Sequence, residues 1–333
     1  MITLCNFAQG FKRLLDLGLY FVFKDKLKLQ PAEIEMLIGI INMPWVVKVV
    51  FGVISDNYTF FGSRRKSYLM MASIINVITL VLLMAFSIKF GKVFITACVF
   101  ITQVCMTYCD AITDALVVQA SRMDSEAGSE NLNSLTQLAF ALGGLLGCGF
   151  AGVIEIREVM GWDIGKPPDA NLYFLIYTFF IVLLFVSVIR LDSNLEPEII
   201  ISQRMSGDRR DQNLLQNCSH TFETVLGQMK HPEIHLPLVY FLAQGILIPN
   251  FDDLHYIFLT ERCGMKNFTY DFLNMLTYVG VVVLTLLYNS YLTRVETKRL
   301  VTIQLGFFLV TTILQLCNAL RMNPLTYFGY EDR

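Results

Sequence analysis

Nine apolar runs, each close to the length that crosses a bilayer, constrain this chain more than any other feature. They fall at about 3–23, 35–55, 68–89, 93–113, 133–154, 172–190, 236–258, 271–291 and 300–320. A bilayer core takes about 20 helical residues, and inside it only helices and closed barrels satisfy their own backbone polar groups. Continuous apolar runs of this length, without two-residue alternation, read as helices. The chain has 333 residues, 54% hydrophobic and 16% charged, with a mean hydropathy of +0.53. That is too apolar for a water-soluble domain. The expected fold class is therefore all-α, a polytopic membrane helical bundle.

A polar stretch from Leu191 to His235, carrying SGDRRDQN, divides the runs. It predicts an N-terminal six-helix half over 1–190, a cytoplasmic central loop over 191–235, and about three helices over 236–333. Within the loop, HTFETVLGQMK has the spacing of an amphipathic helix lying at a membrane surface. With the N-terminus inside, the inner loops hold twelve Lys and Arg residues against nine outside. This thin positive-inside bias places the N-terminus in the cytoplasm. Three Asn-x-Ser/Thr sequons stand at Asn57, Asn217 and Asn267, and only Asn267 lies outside in that arrangement. No basic region precedes the first run and no cleavage site follows it, so a signal peptide is not expected.

Several function classes are excluded. A formal net charge of −2 gives no footprint for nucleic acid. The eight cysteines sit mostly inside apolar runs, without CxxC spacing or histidine partners, so they read as buried thiols and not as metal ligands. The chain has no GxxxxGK[ST] loop, so ATP is not a direct energy source. No nucleophile–base set is present, so an enzyme is not expected, nor is a cofactor.

The chemistry lies in the charges buried within apolar runs. Gln103, Thr107, Asp110 and Asp114 recur at i, i+4, i+7 and i+11, on one helical face of the fourth run. A carboxylate at membrane depth costs a few kcal/mol or more and faces protein or water. With the run starting near Val93, Asp110 falls in the inner leaflet and Asp114 at its edge. The two acids either line a cavity or end a helix among headgroups. In the first run Lys12 and Asp16 stand one turn apart, and Arg13 adds an unmatched positive charge. They form either a buried intrahelical pair or a cationic spot that meets a substrate carboxylate. In the second run Pro44 permits a bend, and Lys48 follows one turn later, where a cavity position is favoured over snorkelling. The seventh run carries Pro249, Asn250, Asp252 and Asp253, a cavity candidate or a helix end. In the fifth run Gly143, Gly147, Gly149 and Gly152 allow close helix packing, or offer a smooth face for sliding. Tyr278, Tyr288 and Asn289 are candidate polar lining.

Gly52-Val-Ile-Ser-Asp56, followed by Gly62, Arg64, Arg65 and Lys66, resembles the loop signature of the major facilitator superfamily. Gly52 would let helices approach closely, Asp56 would cap or ion-pair, and the basic triplet would hold the turn inside. The resemblance implies a latch made and broken in alternating access, with Arg64 or Arg65 pairing with Asp56 and Asp114. Three blocks narrow it: AQG with KDKLKLQPAE after it, MPWVVKVVFGVISD, and DAITDALVVQASR. Together they resemble the folate–biopterin transporter family of that superfamily, most densely over 8–152 and more weakly to about Arg321. The chain departs from the family pattern at Val49, Gln119, Asp252 and Asp253.

The resemblance implies a secondary transporter of folate- or pterin-like solutes working by alternating access, with proton symport as an option. Two alternatives stay open: another organic solute on the same fold, or a non-transporting membrane subunit or receptor-like relic. The superfamily has twelve spans against about nine here, so a C-terminally truncated sequence is expected. A pterin ring offers paired N–H donors to a carboxylate and a flat face to aromatics, and folate adds carboxylates for Lys or Arg. The candidate substrate-binding residues are Lys12, Arg13, Lys48, Gln103, Asp110 and Asp252. The candidate gating residues are Gly52, Asp56, Gly62, Arg64, Arg65 and Asp114. The implied partners are a small-molecule solute and the lipid bilayer, with no nucleic acid and no named partner chain. The plasma membrane is the first candidate location and an organelle membrane the second.

Overall fold

A computed structural model describes residues 2–57, 66–121, 128–159, 170–189, 223–224, 227–247, 256, 258–262, 264–293 and 295–319. Among them every regular element is helical: α1 (Ile2–Phe11), α2 (Arg13–Phe21), α3 (Pro31–Asn42), α4 (Lys48–Asn57) and α5 (Lys66–Ser121). Then follow α6 (Gly128–Val159), α7 (Ala170–Ile189), α8 (Pro232–Leu247), α9 (Asn267–Leu287) and α10 (Thr297–Ala319). Seven stretches among the described residues are long and apolar enough to cross a membrane: Pro31–Ser55, Lys66–Phe86, Gly91–Val118, Glu130–Glu155, Asn171–Ile189, Phe268–Leu292 and Lys298–Cys317. They coincide with the second to sixth, eighth and ninth of the apolar runs. The first run is helical throughout, because hydrogen bonds from Lys12 N to Ala8 O and from Asp16 N to Lys12 O, both 3.0 Å, join α1 to α2. It differs from the seven in carrying Lys12, Arg13 and Asp16. The seventh run begins within α8, a helix of 16 residues with Pro237 inside, and 248–255 lie outside the described residues.

Two breaks come from single residues. Pro44 has no backbone N–H, and α3 gives way there to a 3₁₀ turn, Met43–Trp45, before α4 starts at Lys48. Within α5, Gly91 takes φ 72° and ψ −166°, a conformation that separates the third and fourth runs and that a side chain would strain.

The chain divides into two units, Met1–Val282 and Val283–Arg333. In the first unit α1 lies along α6 at a separation that only glycine permits. A Cβ on Gly10 would press on the Phe140 carbonyl and sit 2.9 Å from Gly144 N. A Cβ on Gly143 would press on the Phe7 carbonyl and sit 2.9 Å from Phe11 N. Gly147 continues the seam, 3.1 Å from Phe11 O. Of the four glycines named in the sequence, Gly152 makes ordinary contact with Phe268 at 3.7 Å, and Gly149 has nothing described within 4 Å. Gly52, expected at a close helix approach, also has nothing described within 4 Å. Neither glycine makes a close approach to a described residue. Close approaches also fall at Gly10, at Gly144, where a Cβ would press on the Tyr278 ring, and at Gly18, where it would lie 2.7 Å from Tyr173 Cβ.

Around the seam the core is aromatic and aliphatic, with Phe11, Leu14, Leu15, Phe23, Phe174 and Tyr177 fully buried. Phe11 and Phe180 centroids are 4.1 Å apart. A smaller core of Tyr68, Leu69, Ala72, Cys105, Cys109, Ile112 and Val188 ties α5 to α7. Outside, Val46, Val49, Val93, Val153, Leu175 and Phe179 are exposed, an apolar surface suited to lipid. The second unit contains α10, whose Phe307, Leu309 and Leu314 are likewise exposed.

Candidate functional site

The break at Pro44 sets Lys48 at the first residue of α4, facing α5. Its ammonium hydrogen-bonds Asp110 Oδ2 and also Asp114 Oδ2, the latter at 2.6 Å. Asp110 and Asp114 are four residues apart on α5, so they share a face and one cation bridges both. The two arms differ in solvation: the Asp110 side chain is 10% exposed and that of Asp114 61%. The buried arm is the stronger, since solvent screens the other. Trp45 lies beneath, its ring centroid 5.6 Å from Lys48 Nζ, within reach of a cation–π contact. Gln9 of α1 and Asp110 line a small cavity with Cys5, Met106, Cys109 and Leu184.

One to two turns further along the same face, Thr107 Oγ1 donates to Gln103 O at 2.8 Å. Gln103 is buried; its Nε2 donates to Asn42 Oδ1 at 3.4 Å, and among the described residues its Oε1 has no hydrogen-bond partner. The face thus combines an acid pair, a buried amide and a hydroxyl, and α3–α4 supplies the cation.

A second polar cluster sits on the α1–α2 rod. Lys12 Nζ pairs with Asp16 Oδ1 at 2.7 Å, as their one-turn spacing allows. Arg13 Nη2 donates to Asn274 Oδ1 of α9 at 3.0 Å. Tyr20, Tyr256 and Tyr270 follow one another in a tilted and then an edge-to-face contact, with centroids 5.0 and 4.7 Å apart.

A profile of the BT1 family matches residues 9–332. The chain belongs to the BT1 family. This is a family of transporters and not of enzymes, and with seven apolar helices it makes the chain an integral multi-pass membrane protein. The BT1 chain is 20% identical to "Folate transporter 2" of Plasmodium falciparum over 80% of its own length and 52% of that protein. It is 34% identical to "Folate transporter 1" of the same organism over 42% of its length and 28% of that protein. It is 35% identical to "Folate-biopterin transporter" of Synechocystis over 42% of its length and 28% of that protein. The chain thus spans about half, or less, of these relatives' own length. No solved structure matches it.

Of the residues singled out in this BT1 sequence, Lys48, Asp110 and Asp114 meet in one cluster, Gln103 lies on the same face, and Lys12 and Arg13 stand on the neighbouring rod. Asp252, Gly62, Arg64 and Arg65 lie outside the described residues, as does the side chain of Asp56 at the end of α4. Asn42, Asn274, Asp271 and the α5-facing role of Gln9 were not singled out by the sequence. Asp271 and Asn274 do share a helical face, three residues apart, but nothing local marks α9 as the partner of Arg13.

Proposed function

We propose that this BT1-family chain is a secondary transporter of folate- or pterin-like solutes, working by alternating access with proton coupling. The observation that carries the reading is the Lys48 cluster, in which two carboxyls face one ammonium. Such a set leaves one acceptor charge to be matched by a proton or by paired N–H donors, the pattern that a pterin edge presents. Trp45 beside Lys48 supplies a flat apolar face for a ring. The names of the folate and folate–biopterin transporters among its relatives support the same solute class.

In this reading Lys48, Asp110 and Gln103 contact the solute, with Lys12 and Arg13 meeting its anionic part and Asp252 a further candidate. Gly52, Asp56, Gly62, Arg64, Arg65 and Asp114 form the loop that latches and releases, between an N-terminal half over 1–190 and a C-terminal segment from 236. The plasma membrane houses the protein, with its N-terminus cytoplasmic.

The test is uptake of labelled folate and of a pterin by vesicles carrying the full chain, with and without an inward proton gradient. Asp110→Asn is expected to remove gradient-driven uptake at unchanged membrane abundance. Normal uptake by that variant would separate Asp110 from the route. Orientation is checked with an N-terminal epitope tag, which antibody should reach only after cells are permeabilised. Detection on intact cells would reverse the topology.

A further inference from the structure

Where α9 meets the α1–α2 rod, two opposite charges are both under-satisfied. A guanidinium offers five N–H donors in a planar fork. Among the described residues that of Arg13 makes one hydrogen bond, to the neutral amide of Asn274 at 3.0 Å, and no ion pair within 4.0 Å. Asp16, its neighbour in sequence, already takes Lys12 at 2.7 Å. On α9, Asp271 is 2% exposed, and among the described residues its Oδ2 has no hydrogen-bond partner. Asp271 is one turn before Asn274, the residue that holds Arg13, on the same face of α9. A buried ion with open hydrogen-bonding positions is costly, and the cost falls when a ligand fills them. Arg13 offers donors in the geometry of a carboxylate, and Asp271, one turn of α9 from Asn274, offers an acceptor oxygen.

We propose that Arg13 and Asp271 form an amphoteric slot for the acylamino-acid end of a solute, with its carboxylate on the Arg13 fork and its amide N–H on Asp271 Oδ2. This rests on the reading of the chain as a carrier of folate-like solutes, which join a flat ring to an N-acylated amino dicarboxylate, and it assigns the end of the solute that Arg13 holds. Asn274 keeps the guanidinium aimed while the slot is empty. The slot makes Arg13 a specificity residue: solutes with the carboxylate gain from it and ring-only solutes do not.

The experiment measures equilibrium binding of N-benzoylglutamate and of 6-methylpterin to the purified full chain. Wild-type protein is expected to bind N-benzoylglutamate. Arg13→Gln should weaken it roughly tenfold or more, the scale of losing a charged hydrogen-bond donor. Asp271→Asn should weaken it several-fold, and Arg13→Lys should retain part of the affinity because it keeps the charge and loses the fork. Binding of 6-methylpterin should be unmoved by all three. Thermal unfolding checks each variant, and Arg13→Lys carries the test if Arg13→Gln does not fold. Absence of N-benzoylglutamate binding, or binding indifferent to Arg13 and Asp271, overturns the slot. Absence of 6-methylpterin binding counts against the pteridine reading alone, and the N-benzoylglutamate result still decides the slot.

Discussion

Lys48→Ala is expected to abolish uptake and to lower stability by about 2 kcal/mol, below the ~3–5 kcal/mol of a fully buried broken pair. The discount follows from solvation, since the Lys48 side chain is 29% exposed and its second partner, Asp114, 61%. Nearly all of the loss belongs to Asp110, which would be left as an uncompensated charge against Met106, Cys109 and Leu184. Asp114→Asn should therefore cost less than about 1 kcal/mol. The double variant Lys48→Met with Asp110→Asn removes both charges and should regain much of the stability in detergent thermal unfolding. It should stay inactive in vesicle uptake. That split separates a cluster that merely holds α4 on α5 from one that meets the solute. Full uptake by Lys48→Ala, at equal abundance, would take the cluster out of the route.

Substitution in the α1–α6 seam should have the largest structural effect. Gly143→Leu is expected to prevent accumulation of folded protein, and Gly143→Ala alone to destabilise by about 3 kcal/mol, the upper range of overpacking. The reason is what the new carbon meets: main-chain atoms of Phe7 and Phe11, which cannot turn aside as a side chain does. Gly10→Ala should behave alike against Phe140 and Gly144. Gly149→Ala serves as the contrast, because nothing described lies within 4 Å of that position. There alanine's better helix propensity should leave stability equal or raised by about 1 kcal/mol. Yield of monodisperse protein and its unfolding temperature decide both cases. Equal behaviour of Gly143→Ala and Gly149→Ala would refute the seam.

Seven of the nine expected spans were legible because a bilayer demands long apolar runs, and nothing tertiary is needed to see them. The shared face of Gln103, Thr107, Asp110 and Asp114 was legible for a similar reason, since helical periodicity fixes it locally. So was the Lys12–Asp16 pair. What could not be read was which neighbour each face meets. Lys48 reaches α5 because α3 ends at Asn42 and the 3₁₀ turn re-aims the chain, a rotation that Pro44 permits and does not specify. Arg13 finds Asn274 across 261 positions of sequence, where no spacing rule applies. The glycines show the same limit. The sequence marked a cluster in the fifth run, but Gly143 and Gly147 face α1 while Gly149 points elsewhere, and the partner Gly10 looked like any helical glycine.

The seam also has a mechanical consequence. Helices that move past one another in a membrane do so on side chains, which rotate and re-seat to absorb the shear. Between α1 and α6 main chain rests on main chain, with no intervening layer to give way. Those two helices must then travel as a single rigid strut, and the hinge lines of any large motion have to run elsewhere. Because Gln9 and Arg13 are both carried on this strut, four residues apart, neither polar cluster can be displaced by a movement of the rod without the other registering it.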